Sequence, residues 1–510
     1  MNGTSIVETK PKLARWYFAV LCAALTVYAV SCAPGALWQD SGLIQYRIWH
    51  NDIEGFLGLA ISHPLFYLCG IAAKYIPFGE FGYRVNLVSA IAAAVAVANL
   101  FLFVRLWLGK ALPAVVAALT LALSHTFWAH ASIVETYTLW AALFFAELIM
   151  LLQYTKTKRL GYLYLFGLFN GLAIADHILA SIPLACYAVL FIILLRRKQI
   201  RASQLCIVAV CWIIGALPYE YLIIRNIIQT KDIAGTLSSA AFGQRWQEAV
   251  LNTSLSAKIV KENLLFILLN FPTPNIILFF AGCLALFNMP LNTFVRNTLA
   301  SVAILFFIFA FRYTVADRYA FFIPFYCVAS VFIGLGTYHF STRISSKKLG
   351  PVIMAFGLLP VGVYFAAPTL AEKAHLNIGT RADIPYRNDL RFFLQPWKTG
   401  YRGAEQFAEE ALKIDEKQSI IYADTTTIGP LLYVQEIKGK RPDIKIVSGI
   451  IKSKDAPDFS ERTIEQLLKE WSVYVVSRRP GYCPAFVLEH YDLAPKGILW
   501  RVVERGEKDI

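Results

Sequence analysis

Asp40 stands in Trp38-Gln39-Asp40-Ser41-Gly42, immediately beyond the first hydrophobic stretch of the chain, and Ser62-His63-Pro64 follows in the same polar connector. A carboxylate and an imidazole just outside an apolar helix point to chemistry at a membrane surface. Other ionisable residues recur at comparable places, at or near the ends of apolar stretches: Arg84, Glu135, Asp176, His177, Arg225, Arg312, Asp317 and Arg318. Such groups at membrane depth are costly, and are usually functional or paired. Taken singly, Asp176 and Asp317 read as interfacial residues reaching water. Taken together, the set reads as a polar site on one face.

The elements that must position these residues are membrane helices. The 510-residue chain is 57% hydrophobic and 16% charged, with mean hydropathy +0.53, against roughly 25% charged residues in soluble domains. A crossing helix needs about 20 apolar residues. Eleven spans are expected, at 14–32, 83–106, 111–127, 132–153, 160–175, 178–195, 202–224, 264–289, 294–311, 319–340 and 349–368. Pro272 and Pro274 should kink or break the eighth. The apolar segment 64–77 is too short to cross and reads as an interfacial or re-entrant helix inside a first external loop at 33–82.

The expected fold class is mainly α: a polytopic transmembrane helix bundle of about 11 spans over 1–368, with a C-terminal soluble α/β domain at 369–510. In that tail, Ser419–Ala423, Ile444–Val447 and Val473–Val476 read as strands, alternating with helices at 403–413, 428–438 and 461–470.

Charge gives an orientation. The net charge of +14 belongs to the membrane half: 26 Lys/Arg against 13 Asp/Glu in 1–368, and 22 against 21 in the tail. With the N-terminus cytoplasmic, that side collects 16 basic residues and one acid, Glu8; the other side holds ten basic residues and about eleven acids. Lys347 and Lys348 are among the sixteen. The positive-inside rule then puts the tail outside the cytoplasm and makes nucleic acid the weaker explanation of the charge. Of the nine cysteines most lie in apolar stretches, without CxxC spacing, so neither a disulfide framework nor a zinc site is expected. The N-terminal basic residues precede a span without a small-residue cleavage site, which reads as a retained anchor.

Several motifs occur in a fixed order: Asp40 opening the first loop, His63-Pro64-Leu65, and Tyr83-Arg84-Val85-Asn86 at the next span. The stretch Thr126–Tyr137 follows, with Glu135, then Asn170-Gly171-Leu172-Ala173 before Asp176-His177, and later Asp317-Arg318-Tyr319. In the tail come Asp383-Ile384-Pro385-Tyr386-Arg387, Asp424 and Arg441-Pro442-Asp443. In this the chain resembles the GT-C glycosyltransferases, and more closely the domain-of-unknown-function family 2723, related to protein O-mannosyltransferases. It departs from the mannosyltransferases in having Asp40-Ser41 where they carry paired Asp-Glu.

The resemblance implies a multi-pass enzyme of a bacterial inner membrane that moves a hexose from a polyprenyl-phosphate sugar to an acceptor hydroxyl on a protein, glycan or lipid. It implies inverting single displacement, with Asp40 as base. Arg312 and Arg318 would clamp the phosphate, with Arg225 an alternative. Glu135, His177 and His63 would hold sugar hydroxyls or position Asp40, and Arg84 would tie the loop to the bundle by an ion pair. The first loop has no Asp-x-Asp, so no metal or other cofactor is expected. A basic, aromatic stretch at 376–402 would cover the site or receive the acceptor, or else rest on headgroups. A transporter or flippase for a lipid-linked saccharide, or a non-catalytic envelope protein, is the alternative; a transporter favours charges near the midplane and internal repeats.

Overall fold

The computed structural model describes residues 10–243, 246–315, 317–344, 346, 348–376, 381 and 383–506. Glu8 and Lys347, both counted in the charge asymmetry, lie outside them. Lipid offers backbone polar groups no partner, so long apolar runs become helices. In chain order these are α1 (Lys10–Ser31), α2 (Gln39–Trp49), α3 (Pro64–Ala73), α4 (Phe81–Leu108), α5 (Ala111–Ala122), α6 (His125–Ser132), α7 (Tyr137–Thr157) and α8 (Gly161–Asp176). There follow α9 (Ser181–Arg196), α10 (Ala202–Thr230), α11 (Ile233–Phe242), α12 (Gln247–Leu251), α13 (Ala257–Asn270), α14 (Ile276–Asn288), α15 (Thr293–Arg312), α16 (Ile323–Arg343) and α17 (Leu349–Lys373).

Among the described residues, eight of the eleven expected spans are helices long and apolar enough to cross a membrane: α1, α4, α7, α9, α10, α15, α16 and α17. The other three differ. The stretch 111–127 belongs to α5 and α6, a pair bent by 63°. The stretch 160–175 is α8, only 16 residues long. The stretch 264–289 is two helices, α13 and α14, separated at Pro272 and Pro274. Proline supplies no N–H and clashes with the preceding turn, which is why the ladder stops there. The span α7 begins at Tyr137, later than expected, and this leaves Glu135 in the connector.

Small residues let α8 pack closely on α10. A Cβ on Gly167 would meet the Val208 carbonyl oxygen at 2.7 Å, and one on Gly215 would meet the Leu172 nitrogen at the same distance. This is the close approach that small residues permit between membrane helices. Polar glue reinforces it. Glu147 on α7 accepts from Asn170 of α8 (3.2 Å) and from the Tyr187 hydroxyl of α9 (2.7 Å), while Trp212 of α10 donates to the Asn170 side-chain oxygen at 2.9 Å. One buried acid thus ties four helices together. Glu147→Leu is expected to lower the thermal unfolding temperature, at a cost of roughly 1 kcal/mol per orphaned partner, because Tyr187 and Asn170 lose their acceptor. Glu147→Gln should keep most of the stability, as read by unfolding in detergent.

The tail continues with α18 (Asp389–Leu394), α19 (Gly403–Ala411), β1 (Ser419–Tyr422), α20 (Ile428–Leu432) running into a π turn, and β2 (Lys445–Val447). Then come α21 (Ile464–Glu470), β3 (Ser472–Val475), α22 (Ala485–His490), β4 (Tyr491–Lys496) and β5 (Leu499–Glu504). The sheet order is β2-β1-β3-β5-β4. β1 pairs in parallel with β2 and β3, and β5 pairs antiparallel with β3 and β4. The three expected strands are the parallel ones; the β4–β5 hairpin was not anticipated.

The tail and the first loop, 33–82, share a core. Trp38, Leu43, Ile44 and Ile48 pack in one buried cluster with Phe407, Ile421, Leu431 and Ile446. The Trp38 indole donates to the Tyr401 hydroxyl at 2.6 Å. At its centre α2 and α20 meet glycine to glycine: a Cβ on Gly429 would lie 2.8 and 2.9 Å from the carbonyl carbon and Cα of Gly42.

Candidate functional site

The start of α2 is held from three sides. The Gln45 amide donates to the Gly35 carbonyl (3.0 Å) and its oxygen accepts from the Leu37 N–H (3.2 Å). Asn86 of α4 donates to the Ala33 carbonyl at 2.8 Å. From the tail, the Thr426 carbonyl accepts the Gln39 N–H at 3.2 Å. Asp40 therefore sits in the first turn of α2, where the helix dipole favours an acid.

The next residue joins Asp40 to Glu135. The Ser41 hydroxyl donates to Glu135 Oε1 at 2.8 Å. The Glu135 backbone is pinned by Ser89 of α4, whose hydroxyl donates to the Glu135 carbonyl and accepts its N–H, both at 2.9 Å. Asp317 completes the group. Asp40 is open to water yet surrounded by protein, so it lines a recess rather than the outer surface. Burial first, and the Asp317 charge second, push the Asp40 carboxyl up to about 7. Burial and then Asp40 push Glu135 up to about 8. Burial also raises Asp317. Three carboxyls close together in a recess resist simultaneous ionisation, and proton uptake near neutral pH follows.

The histidines form an adjoining wall. His63 takes a left-handed conformation (φ 50°) before Pro64 at the start of α3, a strained position for a non-glycine residue. Its ring nitrogen meets the Asp176 carbonyl at 2.8 Å and its ring packs on His177 with centroids 4.6 Å apart. His177 in turn packs on Tyr137 at 5.0 Å. Tyr137 feels the charges of Asp317 and Glu135, and so links the imidazoles to the acids. Burial lowers His63 to about 4 and lowers His177 as well. Both rings are neutral at pH 7, suited to hydroxyl groups rather than to phosphate.

The four predicted arginines are engaged elsewhere. Arg84 donates to the Lys74 and Ile76 carbonyls (2.6 and 2.8 Å), so it holds the end of α3 by carbonyl bonds instead of the expected ion pair. Arg225 pairs with Glu54. Arg312 donates to the Val250 and Asn252 carbonyls at 2.5 and 2.7 Å. Arg318 pairs with Glu262 and reaches Asn263 at 3.2 Å. The structure gathers Asp40, Glu135, His63 and His177, and does not bring these guanidinium groups to them.

Of the two acids expected to reach water, Asp317 does and Asp176 does not. Asp176 is fully buried instead of reaching water. Asp317 is exposed, but toward Asp40. Two further cations lie near the recess: Arg47, which was not predicted, and Arg387, from the basic stretch expected to cover the site. Arg47, two turns along α2 from Asp40, donates to the Tyr67 hydroxyl (2.7 Å) and the Ser62 carbonyl (3.3 Å). The i+7 spacing puts it on the same face of α2 as Asp40. Arg387 comes from the tail and donates to Asp389 at 2.5 Å. Among the described residues, no three His, Cys, Asp or Glu side chains converge to hold a metal ion. A separate cavity of about 370 Å³, lined by Ser31, Trp128, Val361, Phe365 and Trp397, has no ionisable lining and is not the site of this chemistry.

The architecture is that of the GT-C membrane glycosyltransferases. The chain superposes on ArnT from Cupriavidus metallidurans bound to undecaprenyl phosphate with a TM-score of 0.64, at 12% identity, over 96% of this chain and 98% of that one. It superposes on the archaeal oligosaccharyltransferase AglB from Archaeoglobus fulgidus, in complex with an inhibitory peptide and a dolichol-phosphate, with a TM-score of 0.50 at 14% identity. That match covers 98% of this chain and 75% of the other.

Within that class, the chain is related to protein O-mannosyltransferases. Residues 59–203 match the family described as protein O-mannosyl-transferase TMEM260 N-terminal domain. Protein O-mannosyl-transferase TMEM260 of Mus musculus is 26% identical over 226 residues, which is 41% of this chain and 30% of that protein's length. This chain thus matches under a third of that relative. The segment 59–203 holds His63, Arg84, Glu135 and His177; Asp40 and Asp317 lie outside it.

Proposed function

We propose that this protein is a membrane glycosyltransferase that moves a hexose from a polyprenyl-phosphate sugar to an acceptor hydroxyl on the extracytoplasmic side. The observation that carries the reading is the start of α2, where Ser41, next to Asp40, donates to Glu135 at 2.8 Å and exposed Asp40 and Asp317 lie within electrostatic reach of each other and of Glu135. Ionised Asp40 takes the acceptor's proton as the acceptor oxygen attacks the anomeric carbon. The bond from that carbon to the phosphate oxygen breaks on the opposite face, its electron pair leaving with the polyprenyl phosphate. The anomeric centre inverts. A base whose pKa lies near the working pH is suited to this step, and the neutral His63 and His177 rings suit sugar hydroxyls. The reading assigns no metal.

The test is to incubate purified protein with radiolabelled polyprenyl-phosphate hexoses and protein, glycan and lipid acceptors. Transfer from at least one donor is expected; a folded protein inert with all of them sinks the reading. Orientation has its own test. A single cysteine introduced at exposed Lys454 of a Cys-free variant should react with impermeant maleimide added from outside intact cells. A tail labelled only after lysis overturns the extracytoplasmic site.

A further inference from the structure

Catalysis in an acidic recess leaves a requirement unmet. A departing phosphate needs a cation beside it, and Arg84, Arg225, Arg312 and Arg318 are bound to other partners. Arg47 is also engaged, by Tyr67, Ser62 and Asp52, with Gly55 packed against its guanidinium.

Arg387 differs. It lies in the tail just before α18, its side chain only 7% exposed. Asp389 holds Nε at 2.5 Å, which fixes the direction of the fork. The planar group lies near the Trp38 and Phe392 rings, with 5.6 and 5.3 Å to their centroids. One terminal nitrogen reaches Gln39, the neighbour of Asp40, at a long 3.5 Å. The other, Nη1, is buried and has no hydrogen-bond partner. Tyr319 lies within electrostatic reach of Arg387 and of Asp40, Glu135 and Asp317 alike, so the cation and the three acids border one space.

A buried charged donor without an acceptor is costly, and a guanidinium fork matches two phosphate oxygens. We infer that Arg387, delivered by the tail to the start of α2, is the residue that binds the phosphate of the lipid carrier. This rests on the polyprenyl-phosphate reading above. It also gives the tail a part in the site: docking of 383–402 against the first loop brings the anion-binding group to the membrane domain, so donor recognition depends on both.

The test compares binding of undecaprenyl phosphate and uncharged undecaprenol to the purified full-length protein, each followed by native mass spectrometry. Wild type should prefer the phosphate by roughly 10- to 100-fold, the range for charge-assisted hydrogen bonds. Arg387→Gln should lose most of that preference while binding undecaprenol as before. Arg387→Lys should keep an intermediate preference, and Arg391→Gln, on the exposed side of the same segment, all of it. An unchanged preference in either Arg387 variant overturns the inference and leaves the donor reading intact. Absence of any preference in wild type overturns the donor reading and the inference together. Inorganic phosphate binding as tightly as the lipid would overturn the carrier as the ligand.

Discussion

Asp40→Asn is expected to slow sugar transfer by roughly 100- to 10,000-fold, the contribution typical of a positioned base, while donor binding changes little. Asparagine keeps the shape of the first turn of α2 and the packing around Gly42, but cannot take a proton. The pH profile carries a second, independent signature. Burial and the Asp317 charge push the Asp40 carboxyl up to about 7, and only the ionised form acts as base. The wild-type rate should therefore rise with pH through about 7, and fall away below it. Stability should run the other way. A carboxyl raised in the folded protein above its unfolded value of about 4 favours folding while protonated. That advantage is lost as pH rises from about 4 through about 7. Removing the charge should leave the variant at least as resistant to heat as wild type at pH 8. Initial rates with labelled donor and unfolding curves in detergent measure both. Equal transfer by wild type and variant would remove Asp40 from the chemistry.

The residues show which features of this molecule are local and which are not. Spans such as α4, α10 and α16 are legible because lipid selects long apolar runs. The Pro272-Thr273-Pro274 break is legible because proline acts on its own backbone. Strands β1 to β3 are short apolar runs, and equally plain. The β4–β5 hairpin is not, since Tyr491–Lys496 contains Asp492 and Pro495 and lies at the sheet edge, where proline is tolerated. Helix α2 is missed because its length and mixed composition give no clear period. At the site, the chemical types of Asp40, Glu135, His63 and His177 were enough to select residues that do come together. The direction of an arginine is different. Arg312 and Arg318 stand at the expected ends of spans, yet their forks turn to Val250, Asn252 and Glu262, a choice made by tertiary packing. Arg387 lies over three hundred residues from Asp40, and only the fold reveals their shared space.

Gly429→Val should have the largest structural effect, because it acts on the seam that assembles this space. A Cβ at Gly429 would fall 2.8 and 2.9 Å from backbone atoms of Gly42. Backbone cannot swing aside as a flexible side chain does, so α20 must leave α2 or distort it. Overpacking usually costs up to about 3 kcal/mol, and with backbone as the obstacle the upper end applies. Separation would remove Thr426 from Gln39, Tyr401 from Trp38 and Arg387 from the recess. The membrane bundle, whose core cluster is distinct from that of the seam, would persist. The expected outcome is a protein that still inserts and extracts as wild type, with its tail cut by trypsin under native conditions and with transfer lost. Gly449→Val is the control: it is exposed, and its added Cβ would meet only the Tyr422 hydroxyl at 3.6 Å. A Gly429→Val protein that resists trypsin and transfers normally would mean that the recess does not depend on the seam, and the tail's part in the site would fall with it.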